Sequence, residues 1–345
     1  MNDKDRYWDC LDLAMEASHG GRTDEALAWL DEALKARPDG AEAHNGRGEI
    51  LWDEGRAEEA LHQFELAMQA DANFLTAHLN RAELLIEEMG EFERAISQCD
   101  LLLSGDDETP SPDRPTEAEV YYLKSKALFY LENLDGALFL VRRAIKTAGD
   151  VAVYRAFEGQ ILFELGNFAD ARRQLEHAVL LDPDSPHAIY HFALALERLD
   201  EDRDALRAFQ QANAIDADHY PLPVTIDDAA FDAAAEQALE DLPRSIREYV
   251  EHVPIIVHDF PDDDLLEGQR VSPQILGLFI GVPRTQAEPS QQSTDMDRVF
   301  LFKRNLEKIC HTRAQLVEQI QITVKHEIGH YLGLDEDDLE RLGLG

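Results

Sequence analysis

Two histidines and a glutamate near the C-terminus have the spacing of a metal-dependent hydrolytic site. The run from His326 to His330 reads H-E-I-G-H, which is an H-E-x-x-H motif. On a helix, a separation of four residues puts both imidazoles on one face, where they can share a tetrahedral zinc ion. Glu327 then lies beside the open metal position, where a carboxylate can take a proton from water and return it to a leaving amine. These residues predict a zinc site that hydrolyses peptide bonds.

A third zinc ligand is expected shortly after the second histidine. Gly333 permits a left-handed turn that folds the chain back toward the histidines. Glu336, ten residues after His326, then occupies the place where a third ligand belongs. Asp335 and Asp337 stay open as substitutes, because the whole segment is acidic and a site of two histidines needs one carboxylate oxygen.

The helix that carries the motif has clear signals at both ends. Thr312 and Gln315 form a capping-box pair at its start, and Gly333 stops it. Three apolar runs precede the helix and predict strands: VPIIVHDF (253–260), ILGLFIGVP (275–283) and RVFLFKR (298–304). A further helix is predicted from Asp227 or Asp228 to Pro243. Together these elements predict a small mixed α/β domain over residues 220–345.

Two predictions concern how this domain takes its substrate. We expect the strand 298–304 to be an edge strand that pairs with an extended peptide. The polar segment 284–297 is predicted to be a loop that covers the site.

Residues 1–219 show an internal period of about 34 residues. The alanine pair Ala26 and Ala33 recurs as Ala60 and Ala67 and continues to Ala205 and Ala212, and a turn glycine recurs at Gly21, Gly55, Gly90 and Gly166. Small residues let two helices approach closely, and neither helix buries its apolar face without the next repeat. The period predicts six repeats at 7–40, 41–74, 75–109, 118–151, 152–185 and 186–219, with an irregular insert at 104–116. Glu132 and Asp200 replace the turn glycine in two of them.

The repeats resemble the tetratricopeptide (TPR) family. In that family a groove is lined by the first helix of each repeat, and the resemblance implies a groove that binds a protein or peptide partner. The matching positions here are Trp52, Tyr122, Phe129, Phe163 and Tyr190. These aromatic side chains are equally consistent with packing between repeats.

The C-terminal part, from about residue 225, resembles the bacterial minimal zincin-like metallopeptidases. The segments LGLFIGVP, RVFLFKRNLE and TVKHEIGHYLGLDEDDLERLG carry this resemblance. It implies zinc bound by His326, His330 and Glu336, with Glu327 as the general base. The spacing also resembles that of the metzincins, with an acid in place of their third histidine.

Composition excludes other classes of function. The chain of 345 residues has 70 acidic and 32 basic residues, and its formal charge of −38 disfavours nucleic acid and anionic membrane surfaces as partners. Its opening residues lack the basic and apolar regions of a secretory signal, which makes the cytoplasm the expected location. Three widely separated cysteines indicate no disulfide framework and no thiolate zinc site.

The sequence thus predicts an α plus α/β protein in which a TPR α-solenoid at 1–219 precedes a small α+β zincin-like domain at 220–345. The function predicted from it is zinc-dependent peptide hydrolysis, with the repeats recruiting a substrate or partner protein. The alternative is a TPR scaffold whose zincin-like domain binds metal without turning over peptides.

Overall fold

A computed structural model describes residues 3–104, 112–250, 252–269, 271–281, 297–334 and 341. The chain divides into two compact units, Met1–Ile161 and Leu162–Gly345. Up to residue 254, all regular secondary structure in the described residues is helical. A three-stranded sheet with further helices follows. The predicted α plus α/β class is confirmed.

Each of the six repeats has two helices joined by a short turn, although the first helices of the repeats at 7–40 and 118–151 begin four residues before these ranges. Their bounds are α1 (Asp3–His19), α2 (Thr23–Ala36), α3 (Ala41–Asp53), α4 (Ala57–Ala70), α5 (Leu75–Glu87), α6 (Phe92–Ser104), α7 (Arg114–Tyr130), α8 (Leu134–Ala148), α9 (Ala152–Glu164), α10 (Phe168–Leu181), α11 (Pro186–Arg198) and α12 (Asp202–Ile215). The periodic alanines of the second helices, from Ala26 to Ala212, are at most 2% exposed. Their small side chains leave room for the neighbouring helix to pack closely.

The insert predicted at 104–116 is shorter than expected at both ends. Ser104 is the last residue of α6, and residues 114–116 already belong to α7. The Asp113 side chain accepts a hydrogen bond from the Thr116 amide at 3.0 Å and so begins α7 at this point. Pro115 lies in the first turn of the helix, where its missing N–H would have no partner in any case. Residues 105–111 lie outside the described residues.

The turns within the repeats require a left-handed backbone. Gly21, Gly55, Gly90 and Gly166 have φ angles between 62° and 73°. Glu132 (φ 59°) and Asp200 (φ 60°) adopt the same conformation at the two positions where the repeat glycine is replaced. The geometry of the repeat therefore prevails over the preference of these side chains for negative φ.

Replacing Glu132 with glycine is expected to stabilise the protein. An L residue in this conformation costs roughly 1–2 kcal/mol, and the greater unfolded-state freedom of glycine offsets about 0.5–1 kcal/mol of that gain. We expect the free energy of unfolding to rise by about 0.5–1 kcal/mol in urea denaturation. Gly55→Ala is the matched control, since no atom lies within 4 Å of the added Cβ and only backbone strain changes. It should lower stability, and a loss of stability in Glu132→Gly would contradict the account.

The C-terminal part is built around three strands. Its elements are α13 (Asp228–Glu240), α14 (Arg244–Val250), β1 (Ile255–His258), α15 (Asp263–Gln269), β2 (Gly277–Ile280), β3 (Arg298–Phe302), α16 (Lys303–Lys308) and α17 (Arg313–Leu332). The strand order is β1-β3-β2, with β1 parallel and β2 antiparallel to β3. One apolar core joins α13, α17 and the sheet, and includes Phe231, Leu301, Ile320 and Tyr331.

The prediction that the strand 298–304 is an edge strand is wrong. β3 lies between β1 and β2, so both of its sides are already paired. Val299 and Leu301 are fully buried, as expected for a central strand. The strand also ends earlier than predicted, because α16 begins at Lys303. Among the described strands, the edges of the sheet are β1 and β2.

The last repeat contacts the C-terminal part through a buried ion pair. Within the unit Leu162–Gly345, Lys308 Nζ lies 2.6 Å from Glu197 Oε2, and the two side chains are 6% and 11% exposed. Arg304 bonds Asp202 of α12 at 2.6 Å. The ring of Phe260 lies under both cations, 4.7 Å from Lys308 Nζ and 5.5 Å from the guanidinium of Arg304. Burial lowers the pKa of Lys308, and Glu197 opposes this shift.

The segment between α12 and α13 is anchored at both ends. Asn213 Nδ2 donates to the Tyr220 carbonyl at 3.0 Å. Val224 N–H donates to the Glu307 carbonyl at 2.8 Å, and Ile226 N–H donates to the Glu307 carboxylate at 3.3 Å. The boundary predicted near residue 220 falls in this segment and stays a prediction. In the described part of the chain, no helix is long and apolar enough for a membrane span.

Candidate metal and catalytic site

Helix α17 positions the H-E-x-x-H motif in its last two turns. At its start, the Thr312 side chain accepts a hydrogen bond from the Gln315 amide at 3.2 Å. Gln315 in turn accepts a bond from the His311 amide at 3.0 Å. At its end, Gly333 is left-handed (φ 83°) and the Leu334 amide donates to the Gly329 carbonyl at 3.0 Å. The predicted start at Thr312 and stop at Gly333 are confirmed, although Gln315 bonds the amide of His311 and not that of Thr312, as a capping box would require.

The two histidines of the motif converge on one point. Their Nε2 atoms lie 3.0 Å apart, and the ring planes are nearly perpendicular at 86°. Two nitrogen ligands of a tetrahedral zinc, each at about 2.0–2.1 Å, stand about 3.3 Å apart. His326 and His330 therefore fit a shared metal ion with little adjustment.

Glu327 points at the edge strand β2. Its Oε2 accepts a hydrogen bond from the Phe279 amide at 2.7 Å, and the residue is 7% exposed. The Phe302 amide donates to the Leu276 carbonyl at 2.9 Å, which in an antiparallel ladder turns the amide of Phe279 away from β3. The carboxylate thus takes up an outward amide that the sheet leaves unpaired.

Gly277 makes this close approach possible. A Cβ at this position would lie 2.7 Å from Thr323 Cγ2 and 3.0 Å from both Cγ and Oε1 of Glu327. Sequence reasoning missed Gly277 and Phe279 as site residues. A glycine inside a strand is the signal that could have found them, since it often marks a close approach to another group.

Tyr331, which follows the second histidine, is a core residue. It is fully buried, and its ring packs edge-on against Phe279 with centroids 5.5 Å apart. This contact fixes the same strand residue that donates its amide to Glu327.

The third ligand stays a prediction. Glu336 and its substitutes Asp335 and Asp337 lie outside the described residues, as does the predicted loop 284–297 except for Asp297. Over the ranges that the structure describes, no cluster of three or more His, Cys, Asp or Glu side chains could hold a metal ion. The donor set available there is the pair of histidines with Glu327 beside it.

The aromatic residues predicted for a groove in the unit Met1–Ile161 contact other aromatic side chains. Trp52 is half-buried and lies 6.4 Å edge-on from Phe64. Tyr122 and Phe129 both pack on Phe157, at centroid distances of 5.5 and 5.4 Å. All three are only partly buried, so a role in binding stays a prediction.

Of the two groove candidates in the unit Leu162–Gly345, Phe163 is buried and Tyr190 is partly buried. Phe163 is 3% exposed and packs on Phe168 at 5.2 Å. Tyr190 lies between Phe209 at 5.3 Å and Tyr220 at 5.2 Å. Burial, with a smaller effect of a nearby carboxylate, raises the pKa of Tyr190 to about 12. These contacts favour a packing role, and binding at these positions stays a prediction.

Two protein families match separate parts of the chain. The zincin-like metallopeptidase family matches residues 250–345, and the tetratricopeptide repeat family matches residues 11–76 and 158–219. No curated protein matches the chain.

Solved structures show a similar repeat fold. PilF from Pseudomonas aeruginosa superimposes with a TM-score of 0.53 at 16% identity, covering 63% of this chain and 95% of PilF. PilW, a type IV pilus biogenesis factor, gives the same TM-score and identity over 60% of this chain and 92% of PilW. The hetero-tetramer Cut9–Hcn1 gives 0.53 at 14% identity, over 61% of this chain and 40% of that chain. At such identities the likeness shows the fold alone. The chain therefore carries tetratricopeptide repeats followed by a zincin-like metallopeptidase domain.

Proposed function

We propose that the chain is a zinc-dependent peptidase whose repeats recruit a substrate or partner protein. One observation carries the proposal: the Nε2 atoms of His326 and His330 meet at 3.0 Å beside a carboxylate held against an edge strand. A structural histidine pair needs no acid at this place, whereas metal-assisted hydrolysis of a peptide bond uses a bound metal together with a base.

Each residue of the motif has a distinct task in this proposal. His326 and His330 hold the metal, and Glu336 completes the ligand set. Bound zinc supplies Lewis-acid chemistry, which polarises a carbonyl oxygen and lets water ionise near neutral pH. The Glu327 carboxylate accepts the proton of the attacking water and passes it to the leaving amine. Its bond to Phe279 holds the other carboxylate oxygen in one orientation.

Strand β2 is the proposed binding edge for an extended peptide. No described strand pairs with its outer side, where the Phe279 amide donates to the Glu327 carboxylate. A peptide added alongside β2 would bring its backbone to the carboxylate. This replaces the central strand β3, which the sequence suggested for the same task.

The repeats are proposed to bind a protein or peptide. Stacked helix pairs form extended surfaces suited to such partners. The formal charge of −38 disfavours nucleic acid and anionic membranes as the alternatives.

Metal content tests the site directly. We expect about one zinc per chain in the purified protein and almost none in His326→Ala, because one histidine nitrogen and a carboxylate bind zinc weakly. Elemental analysis after dialysis measures the ratio. His252→Ala is the control, since His252 is an exposed histidine of the same domain, and it should keep the metal. Stoichiometric zinc in His326→Ala would contradict the assignment.

A further inference from the structure

The fifth repeat holds the segment that leads into strand β2. Glu164, the last residue of α9, accepts two hydrogen bonds from this segment. Ser272 Oγ donates to its Oε2 at 2.6 Å, and Gln274 Nε2 donates to its Oε1 at 2.6 Å. The Gln274 amide also donates to Ser272 Oγ at 3.1 Å. Bonds that use both oxygens of one carboxylate fix orientation as well as distance.

The same segment is held from the other side by α16. Asn305, which is 4% exposed, donates its amide to the carbonyls of Pro273 and Ile275 at 2.9 and 2.8 Å. The next carbonyl, that of Leu276, accepts the bond from Phe302 that begins the β2–β3 ladder. The clamp between Glu164 and Asn305 therefore determines where β2 enters the sheet.

The entry point of β2 decides what faces Glu327. The glycine at 277 leaves space for the Glu327 side chain, and the outward amide at 279 donates a hydrogen bond to it. A shift by one residue would place the Leu278 side chain at the position of Gly277 and turn its amide outward. The position of Glu327 thus depends on the register that the clamp imposes.

We propose that Glu164 is a positioning residue for Glu327, acting through Ser272, Gln274 and strand β2. The fifth repeat is then a structural support of the hydrolytic site as well as a member of the recruiting array. The effect on catalysis rests on the proposed function, but the effect on β2 does not. The contacts of Glu164 support the inference, because both oxygens of its carboxylate accept hydrogen bonds from the segment before β2. A carboxylate that stabilised only the repeat would bond residues of the repeat.

Amide hydrogen exchange of Phe279 in the metal-free protein is the first test. Glu164→Ala removes both bonds, and we expect the Phe279 amide to exchange about tenfold faster because its bond to Glu327 opens more often. Glu164→Gln keeps one acceptor oxygen and should restore most of the protection. Ser272→Ala removes one donor without changing the repeat, so it gives the same readout if a Glu164 variant fails to fold. Combined with Glu164→Ala it should add little, because Glu164→Ala has already removed the bond between Ser272 and Glu164.

Steady-state kinetics of the zinc-loaded protein are the second test. Misplacement of the carboxylate should lower kcat about tenfold in Glu164→Ala, with KM changed less than about twofold and zinc content unchanged. Glu176→Ala is the control, since Glu176 is exposed in the same repeat, 3.6 Å from Arg172. Wild-type exchange at Phe279 together with wild-type kcat in Glu164→Ala would overturn the inference. If no form of the protein cleaves peptides, the proposed function fails alone, and the exchange rates still decide the role of Glu164.

Discussion

Replacing Glu327 with glutamine is expected to lower kcat at least about 100-fold while leaving the zinc content unchanged. Glutamine has nearly the same shape and keeps an oxygen that can accept the Phe279 amide, which now bonds the carboxylate at 2.7 Å. It cannot accept a proton from water, so the general-base contribution of about 10²–10⁴-fold is lost. Cleavage rates measured under saturating substrate, with metal analysis of the same samples, give both quantities.

Glu318→Gln is the matched control for this variant. Glu318 is an exposed glutamate of the same helix, two turns before the motif, and its replacement should change neither kcat nor zinc content. Activity retained within about threefold in Glu327→Gln would refute the general-base role. Loss of zinc in this variant would instead show that Glu327 supports the metal ligands.

Removing Glu197 is expected to destabilise the unit Leu162–Gly345 by about 3–5 kcal/mol. Lys308 Nζ lies 2.6 Å from Glu197 Oε2, and its side chain is only 6% exposed. In Glu197→Ala this ammonium group loses its closest anion and cannot recover its hydration without opening the contact. Chemical denaturation followed by far-ultraviolet circular dichroism measures the change in the free energy of unfolding.

Two further variants distinguish the effect of the buried Glu197–Lys308 pair from the effect of removing a surface charge. Glu201 forms an ion pair with Arg172 at 3.4 Å, and the Glu201 side chain is 38% exposed. Glu201→Ala should therefore lower the free energy of unfolding by less than about 1 kcal/mol. Replacing Glu197 and Lys308 together with methionine removes both charges and should recover most of the lost stability. If Glu197→Ala and Glu201→Ala lower the free energy of unfolding equally, the buried pair contributes no more to stability than the exposed pair.

Local signals predicted the helices well. The alanine period identified positions that the structure buries at 0–2% exposure, because helix crossings accept only small side chains there. The Thr312 cap and the Gly333 stop bound the motif helix as predicted, because both act through hydrogen bonds within a few residues. The predicted strands contain β1, β2 and β3, although each observed strand is shorter.

Contacts between distant segments could not be predicted. Strand order depends on which hydrophobic faces meet, and nothing local in 298–304 distinguishes a central strand from an edge strand. Glu164 and Ser272 are 108 residues apart in sequence, and only the fold brings them to 2.6 Å. The role of Gly277 likewise depends on a helix that begins 36 residues later.

Cleavage of a mixed peptide library by the purified protein tests the central claim most directly. The protein is assayed as purified, after removal of metal by a chelator, and after zinc is restored. The account predicts cleavage in the first sample, loss of cleavage in the second and recovery in the third, with Glu327→Gln inactive throughout. A zinc-loaded wild-type protein that cleaves no peptide, or cleavage that survives complete removal of metal, would contradict it.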